Sequence, residues 1–359
     1  MLPADPADPI AAAVARLCAG ELVALPTETV YGLGADAANP AAVAKIYAAK
    51  GRPADHPLIV HLADARPLAQ WAADIPPAAR ALAEAYWPGP LTLILKKQVW
   101  VPDAVTGGQD TVGLRVPNHP LALALLAAFA QARKPAPAGV AAPSANRFGC
   151  VSPTTAMHVR EELGDKVALI LDGGPCAVGI ESTIVDFSRA AAEILRPGVI
   201  SAADIERVTG ILPHVRGAQA NAGAVSAEAT APAPRASGTL AAHYAPRTPL
   251  RLAASAALSA EIDRLLRDGK KLAVLARAST PPGDTSIRWL VAPRDPAGFA
   301  QALYANLRAL DALGVDLIVL EDVPRNAAWQ AVADRLGRAA AGAGGGDSGG
   351  AGSGRAEKV

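Results

Sequence analysis

Short apolar runs alternate with helix-period patterns through the first part of the chain. Runs rich in Val, Ile and Leu between Gly, Pro or polar residues are typical of strands, and apolar positions three or four apart are typical of helices. Strands are predicted at 21–25, 57–62, 91–96, 111–117, 139–142 and 167–171. Helices are predicted at 10–19, 40–49, 64–73, 77–86, 119–131, 154–163 and 202–209. This alternation predicts an α/β domain over residues 1–212.

The region after residue 249 repeats the alternation on a smaller scale. Strands are predicted from 250 and at 271–276, 287–291 and 315–320, with helices at 259–268, 296–313 and 328–337. This order predicts a small parallel sheet, so that residues 249–340 form a Rossmann-like α/β C-terminal domain. The region contains neither a GxGxxG nor a Walker loop, and we interpret it as a lid or regulatory domain.

Two segments lack the large apolar residues that a core element needs. Residues 213–248 are interpreted as a linker, because Ala, Gly, Pro and Ser dominate the segment 216–238. Residues 341–359 are rich in Gly, Ser and Ala, and we expect them to be a disordered tail.

Composition narrows the possible functions. A net charge of +1 over 359 residues excludes a strongly basic nucleic-acid footprint, so any contact with tRNA or double-stranded RNA would be local. Cys18, Cys150 and Cys176 lie far apart without a CxxC pair, which fits neither a disulfide framework nor a thiolate zinc site. No signal peptide is visible, and the longest apolar run, 121–130, is about half the roughly 20 residues that span a bilayer. We expect a cytoplasmic protein with no membrane partner.

Candidate binding chemistry begins in the stretch 25–34, LPTETVYGLG. Pro26 ends the preceding strand because proline has no N–H for the sheet. The hydroxyls of Thr27 and Thr29, the carboxylate of Glu28 and two glycines follow, on backbone that a ligand can approach closely. We interpret the stretch as a binding loop; the alternative is a Gly-rich turn that caps the next helix.

Lys50 and Arg52 are the strongest candidates for binding phosphate. Pro53 favours an extended backbone in the residue before it, and residues two apart in an extended chain point the same way. The ammonium and the guanidinium are therefore predicted to converge on one polyphosphate. The alternative is that they only satisfy the C-terminus of a helix.

Arg115 interrupts an otherwise apolar strand and shares one face with Thr111. A guanidinium in such a place needs a partner, and a carboxylate can accept two parallel hydrogen bonds from it. The partner is either the carboxylate of a ligand or an internal one, Asp110 or Glu28.

Short segments rich in Gly, Pro and polar residues, similar to 25–34, recur along the chain. The further segments are KGRPADHPL at 50–58, WPGPLTL at 87–93, DTVGLRVP at 110–117, APSAN at 142–146, ESTIVDF at 181–187 and LRPG at 195–198. Together with 25–34, they closely resemble the Sua5/YrdC/YciO family over roughly residues 10–210. The run HYAP at 243–246 is similar to the one that separates the long, two-domain Sua5 branch from the short YrdC branch.

The resemblance implies both a fold and an activity. The fold is a YrdC-like twisted open sheet with helices. The activity is that of an L-threonylcarbamoyladenylate synthase, a nucleotidyltransferase that joins L-threonine, bicarbonate or CO2 and ATP, with Mg²⁺, to give threonylcarbamoyl-AMP and pyrophosphate. A t6A transferase complex that modifies tRNA would receive the product. Because no GxxxxGK[ST] occurs, dispersed side chains and loop amides would have to hold the phosphates.

The resemblance also implies roles for particular residues. Lys50 and Arg52 are expected to be the catalytic cations. Contacts with L-threonine are expected from Thr27, His61, Arg115, Ala142 and Ser182. Contacts with the nucleotide are expected from Lys50, Arg52, Ala54, Thr111, Ser144, Asn146, Ser152, Arg196 and Tyr244. The residue pattern by itself has a plainer interpretation for two of these residues. A lone histidine in an apolar strand, such as His61, is usually a core residue, and Ser152 could instead cap the helix at 154–163.

Several points stay open at the level of sequence. Many relatives carry a basic residue two positions before the histidine of HYAP; here that residue is Ala241, and Arg235 is a candidate substitute. Glu28 is either a magnesium ligand or an internal hydrogen-bond partner. The alternative functions are a double-stranded RNA-binding or regulatory module without turnover, and a carbamoyl-transfer subunit, which would need zinc-finger and acylphosphatase segments that the sequence lacks.

Overall fold

The computed structural model describes residues 8–217, 233–281 and 287–344, which form two α/β domains. Most of the predicted disordered tail, residues 345–359, and residues 218–232 of the predicted linker lie outside the described residues. The last helix continues to Gly342, so the predicted start of the tail at 341 is wrong. Within the described ranges, no helix is both long enough and apolar enough to cross a membrane.

The N-terminal domain is built around one large sheet. Its strands are β1 Val23–Leu25, β2 Gly32–Asp36, β3 Ile59–His61, β4 Leu91–Lys96, β5 Thr111–Arg115, β6 Val140–Ala141, β7 Leu169–Ile170, β8 Thr183–Asp186, β9 Glu193–Arg196 and β10 His214–Val215. Its helices are α1 Pro9–Cys18, α2 Pro40–Lys50, α3 Leu68–Trp71, α4 Pro77–Tyr86, α5 Asp103–Thr106, α6 Pro120–Arg133, α7 Ala156–Leu163 and α8 Ala202–Thr209. The sheet continues through β10, beyond the predicted domain boundary at 212.

The strands follow the order β10-β9-β8-β4-β5-β3-β6-β2-β1-β7, with parallel and antiparallel pairs mixed. Successive side chains of a strand point to opposite faces. On one face, Val60, Leu93 and Leu114 join the main hydrophobic core. His61 and Arg115 lie opposite each other on β3 and β5 and belong to the other face. This second face is where polar side chains collect.

The second face is covered in two different ways. Beside β1 and β6, helices α1 and α6 cover it, and Phe129 packs there with Leu25. Beside β3 and β4, Ile59 and Ile94 pack instead against Ala236 of the linker. The linker therefore contributes a small side chain, Ala236, to a hydrophobic cluster on this face.

Local capping explains several helix boundaries that differ from those predicted. Helix α2 begins after Asn39, whose side chain accepts hydrogen bonds from the N–H groups of Ala41 and Ala42. It runs through Lys50 and ends at Gly51, which adopts a left-handed conformation with a φ of 61°. The extended backbone predicted for Lys50 is therefore wrong. Helix α7 is capped by Thr155, so the predicted capping role of Ser152 is wrong as well. The helix predicted at 64–73 is a single turn, α3.

The C-terminal domain has the predicted parallel sheet. Its strands are β11 Leu250–Ala253, β12 Leu272–Ala276, β13 Arg288–Val291 and β14 Leu317–Glu321, and its helices are α9 Leu258–Arg267, α10 Pro296–Asp311 and α11 Gln330–Gly342. The strand order is β11-β14-β12-β13, and all three pairs are parallel. Helix α9 covers one face of the sheet, and α10 and α11 cover the other.

The two domains share part of their hydrophobic interior. Val30 and Ile180 of the N-terminal domain and Tyr244 of the linker belong to the same buried cluster as Phe299 and Leu336 of the C-terminal domain. This contact places α10 and α11 next to the polar face of the N-terminal sheet.

Candidate active site

A cavity opens over the polar face of the N-terminal sheet and is bounded by the linker. The lining residues come from the N-terminal sheet and its loops: the loop after β1, the strands β2, β3, β5 and β9, and the loops before β3, after β6 and before β8. The linker supplies the others. They are Thr27, Thr29, Val30, Gly32, Arg52, Ile59, His61, Arg115, Ala142, Pro143, Ser144, Glu181, Arg196, Ser237, Gly238, His243 and Tyr244.

Many of the site residues predicted from sequence meet at this cavity although they are far apart in the chain. Those on its wall are Thr27, Arg52, His61, Arg115, Ala142, Ser144, Arg196 and Tyr244. An isolated β-bridge between Gly32 and Ser144 joins the 25–34 stretch to the APSAN segment. The sheet therefore brings together polar segments that are far apart in the sequence.

At one end of the cavity, Arg115 forms a buried ion pair with Glu28. A guanidinium nitrogen of Arg115 lies 2.7 Å from Oε1 of Glu28, and the other carboxylate oxygen accepts the Asn118 N–H at 3.0 Å. The internal partner left open by the sequence is thus Glu28, whereas Asp110 pairs with Lys96 at 2.6 Å. Arg115 still lines the cavity, so a ligand carboxylate there would have to share its guanidinium with Glu28.

His61 and Thr27 complete this end of the cavity. Burial, reinforced by the neighbouring Arg115, lowers the pKa of His61 to about 3, so its ring is uncharged near neutral pH. The Thr27 hydroxyl donates to the Val30 carbonyl at 2.6 Å. This end therefore offers one cation, an uncharged imidazole and a hydroxyl in a small space.

Two further guanidiniums face the other part of the cavity. Burial lowers the pKa of Arg52 to about 10, which leaves it charged at neutral pH, and it donates to the Pro57 carbonyl at 2.9 Å and the Ser237 hydroxyl at 3.2 Å. Arg196 donates to the Ser237 carbonyl at 2.9 Å and the Ser182 carbonyl at 3.1 Å. Together with Arg115, these groups give the cavity a strongly cationic wall that suits a polyanion.

Lys50 lies behind this wall, buried among backbone carbonyls. Its amine donates to the carbonyls of Ser144 and Asn146, both at 2.6 Å. Burial and the nearby Arg52 hold the pKa of Lys50 well below its usual range. Unlike Arg52, Lys50 does not line the cavity, and in this conformation it orders the loop that carries Ser144.

Ser182 and Ser152 also lie behind the wall. The Ser182 hydroxyl lies 2.8 Å from that of Thr92 and accepts a hydrogen bond from Arg196 at 3.1 Å. The Ser152 hydroxyl donates to Glu181 at 2.7 Å. Neither serine faces the cavity directly, and each supports a charged residue that does.

Three other predicted nucleotide contacts are placed away from the main cavity. The Asn146 amide donates to the carbonyls of Arg147 and Cys150, and so holds its own loop. Thr111 lines a smaller pocket that adjoins the main one. Ala54 is exposed in the loop after α2.

Glu181 and His243 line the cavity, but they were not among the site residues predicted from the sequence. Burial by itself would raise the pKa of Glu181, but Arg335 and Arg196 outweigh burial and lower it to about 2. Burial lowers the pKa of His243 to about 3. The available signals were the carboxylate directly before Ser182 in ESTIVDF and the histidine directly before Tyr244 in HYAP.

Tyr244 is held in an unusual conformation. Its φ of 61° is the positive value that L residues rarely adopt, and its ring is buried. The hydroxyl approaches the Gly238 carbonyl at 3.4 Å, and the ring stacks on Tyr304 with centroids 5.7 Å apart. Such strain persists only where the surroundings enforce it, which here fixes the tyrosine at the cavity.

The predicted linker cation, Arg235, does not line the main cavity. Its guanidinium donates to the carbonyls of Asp55 at 3.1 Å and Gly107 at 2.7 Å. Ala241 is exposed. In this conformation Arg235 fastens the linker to the N-terminal domain.

The described residues do not form a metal cage. Within 8–217, 233–281 and 287–344, no three His, Cys, Asp or Glu side chains are grouped so that they could hold a metal ion. Mg²⁺ is commonly bound through one or two carboxylates, water and substrate phosphates. Of the two acidic groups nearest the ligand space, Glu28 is paired with Arg115 and Glu181 with Arg335. All three cysteines are free.

The fold and the site define a class: a two-domain α/β protein whose interdomain linker closes a cation-lined cavity on an open mixed sheet. The Sua5/YciO/YrdC family profile, described as "Telomere recombination", matches residues 15–198. A second profile, described as "Threonylcarbamoyl-AMP synthase, C-terminal domain", matches residues 200–341. The chain belongs to the Sua5/YciO/YrdC family, in its two-domain form.

Similar proteins cover both domains. A threonylcarbamoyl-AMP synthase of Pyrococcus abyssi is 39% identical over 335 residues, which are 89% of this chain and 90% of the relative. One of Bacillus subtilis is 39% identical over 345 residues, 93% of each chain. The crystal structure of P. abyssi Sua5 complexed with L-threonine matches with a TM-score of 0.81 and 36% identity, covering 93% of this chain and 94% of that one.

Proposed function

We propose that this protein is a threonylcarbamoyl-AMP synthase. It joins L-threonine, CO2 from bicarbonate and ATP, and it releases pyrophosphate. The observation that carries the proposal is the single cavity in which Arg52, Arg115 and Arg196 converge beside His61 and Thr27. The names of the two-domain relatives support the same activity.

Threonine is proposed to occupy the end formed by Thr27, His61, Arg115 and Ala142, since the related P. abyssi protein has been solved with L-threonine. Arg115 would bind the α-carboxylate while Glu28 holds the guanidinium from behind. An uncharged His61 adds no repulsion against the substrate amine.

ATP is proposed to lie along Arg52, Ser144, Arg196 and Tyr244. Other predicted residues act through these: Lys50 and Asn146 order the Ser144 loop, and Ser182 and Ser152 support charged wall residues. The adjoining pocket at Thr111 extends the apolar surface that a nucleoside needs. Mg²⁺ enters with the substrate as MgATP.

The chemistry requires positioning more than covalent assistance. The threonine amine attacks CO2 and loses a proton to give a carbamate. A carbamate oxygen then attacks the α-phosphorus, the bond to the bridging oxygen breaks, and pyrophosphate leaves with the electron pair. The guanidiniums of Arg52 and Arg196, held by fixed partners, are placed to offset the charge of the phosphates, and holding both substrates in one cavity aligns the reacting atoms.

The proposal is tested by incubating the protein with MgATP, L-threonine and bicarbonate, and by following pyrophosphate and threonylcarbamoyl-AMP. We expect release of pyrophosphate that depends on threonine. Serine should be used less well, because the γ-methyl that it lacks contributes only about 1 to 3 kcal/mol in an apolar pocket. Pyrophosphate release that is equal with and without threonine would contradict the proposal.

The product is proposed to pass to a t6A transferase complex, because a mixed anhydride of this kind is a reactive acyl donor. The alternative, an RNA-binding module without turnover, predicts salt-sensitive retention of double-stranded RNA and no pyrophosphate. Measuring RNA retention beside the turnover assay separates the two functions.

A further inference from the structure

A buried ion pair crosses the boundary between the two domains at the cavity. Nε of Arg335, on α11, donates to Oε2 of Glu181 at 2.8 Å. Arg335 is 0% exposed and Glu181 is 7% exposed. The Tyr304 hydroxyl, on α10, donates to the same carboxylate oxygen at 2.9 Å. The C-terminal domain therefore supplies both donors to one oxygen of Glu181.

Glu181 is an unexpected residue on this wall. Among the described residues that line the cavity, it is the one carboxylate, and the cavity is otherwise built for anions. Arg196 lies within electrostatic reach of it and is itself a proposed nucleotide contact. A free Glu181 carboxylate would repel the phosphates and would compete with them for Arg196.

Arg335 and Tyr304 turn the carboxylate away from this competition. Oε2 is occupied by both groups from the C-terminal domain, while Oε1 accepts the Ser152 hydroxyl at 2.7 Å. Arg335 also lies over the Tyr244 ring, 5.3 Å from its centroid. One arginine thus neutralises one cavity residue and packs on another.

We propose that Arg335 is a positioning residue for nucleotide binding, supplied by the C-terminal domain, and that it sequesters the Glu181 carboxylate so that Arg196 stays available to phosphate. Tyr304 assists by holding the same carboxylate oxygen. The identity of the phosphate ligand as ATP rests on the proposed function. The interpretation of the C-terminal domain as a lid or regulatory domain thus becomes a specific one: the domain supplies the arginine that neutralises Glu181 inside the site.

The experiment compares wild type with Arg335→Met, Arg335→Lys and the double variant Glu181→Gln/Arg335→Met. Calorimetry gives the Kd for α,β-methylene-ATP and, separately, for L-threonine. Kinetics give KM for ATP and kcat from pyrophosphate release. Circular dichroism gives the folded fraction, and every value is scaled to it.

Arg335→Met is expected to raise the Kd and the KM for the nucleotide about 10-fold or more, while the Kd for threonine stays within about twofold. The double variant removes both charges and is expected to recover nucleotide affinity to within about threefold of wild type. Arg335→Lys keeps the charge, and its Kd for the nucleotide is expected to lie between the values for Arg335→Met and for the double variant. This recovery is a result that a merely structural role of Arg335 would not produce.

Arg335→Met leaves the buried Glu181 carboxylate without its partner and can fail to fold. In the double variant residue 181 is uncharged, and Asp334, which also pairs with Arg335, keeps its pair with Arg338. If Arg335→Met does not fold, Tyr304→Phe takes its place, because it removes only a hydroxyl. It is expected to raise the Kd for the nucleotide about two- to threefold and to leave the Kd for threonine unchanged. Arg325→Met is the matched control, because its exposed pair with Asp322 lies in the same domain away from the cavity.

Two results would overturn the inference: nucleotide affinity in the double variant no better than in Arg335→Met, or threonine and nucleotide affinities falling in parallel. If Arg335→Met does not fold, unchanged nucleotide affinity in Tyr304→Phe overturns it too. The analogue titrations stand apart from turnover, so a wild-type protein that binds the analogue but releases no pyrophosphate counts against the proposed function and not against the role of Arg335.

Discussion

Strands β12 and β5 show how differently the two sheets use their faces. In β12, Leu272 and Val274 pack on the side of α9, while Ala273 and Leu275 pack on the side of α10 and α11. In β5, alternation places one set of side chains in the core and leaves Arg115 in the cavity. Helices on both faces of a sheet leave no room for a ligand on those faces, whereas the part of a face that is covered only by a linker can hold one.

This comparison predicts that substitutions on the two sheets fail in different ways. Changes at cavity residues on the polar face of the N-terminal sheet should remove activity from a folded protein. Changes in the C-terminal sheet should remove stability and leave the affinity of the folded fraction near that of wild type.

The largest effect is expected for Arg52→Ala. Loss of a preorganised cation from a site of phosphoryl chemistry typically costs about 100- to 1000-fold in rate. We expect this loss in kcat/KM for ATP, with the circular dichroism spectrum unchanged. Arg66→Ala is the control, because the Arg66–Asp64 pair is on the surface and its arginine side chain is 90% exposed. Wild-type rates in Arg52→Ala would show that Arg52 has no part in nucleotide binding.

Leu275→Ala tests the other sheet. Leu275 is 1% exposed in the cluster beneath α10 and α11, so truncation leaves a cavity and should lower the free energy of unfolding by about 2 to 5 kcal/mol. Urea denaturation measures the loss, and calorimetry at low temperature should give a threonine Kd near that of wild type. A stable variant that no longer binds threonine would reverse the comparison.

Acid sensitivity should also come from the cavity side, because none of the six histidines lies beyond residue 243. His61 and His243 are buried with pKa values lowered to about 3. The unfolded chain takes up these protons near pH 6.5, so their contribution is complete above that pH and is lost as the pH falls towards 3. Between pH 7 and pH 5, each should cost about 2 kcal/mol of stability.

Urea unfolding at these two pH values measures the effect. His61→Gln should flatten the dependence, whereas His214→Gln should not, since the His214 side chain is 61% exposed. Equal pH dependence in His61→Gln and wild type would show that His61 does not carry it.

The smallest effect is expected for Arg325→Ala, on the surface of the C-terminal domain. Arg325 pairs with Asp322 at 2.7 Å, but its side chain is 66% exposed. Exposed ion pairs contribute about 0 to 1 kcal/mol, and we expect a change below about 0.5 kcal/mol with unaltered turnover. A larger change in the urea midpoint would mean that this surface is coupled to the fold.

Much of the architecture follows from local patterns. The alternation after residue 249 predicted a parallel sheet, and its three strand pairs are parallel. Helix ends were less predictable: α2 runs through Lys50, one residue beyond the predicted end, and Gly51 in a left-handed conformation terminates it.

The sequence predicted which residues lie at or near the site better than it predicted what each of them does there. Arg52 and Arg115 could be recognised from the sequence as candidate binding cations, and both line the cavity. Lys50 and Ser182 could not be separated from them, because the sequence does not show which side chain faces the ligand and which stands behind it.

By itself, the sequence determined the order of elements, the two α/β domains and the set of polar segments that meet. These depend on interactions between neighbours in the chain, on side-chain periodicity and on residues such as proline and glycine. Only the tertiary structure decided that Glu28 pairs with Arg115 and that Glu181 is neutralised by Arg335, 154 residues away. Buried charges are paired through space, and the partner that prevails is the one that folding brings within hydrogen-bond distance.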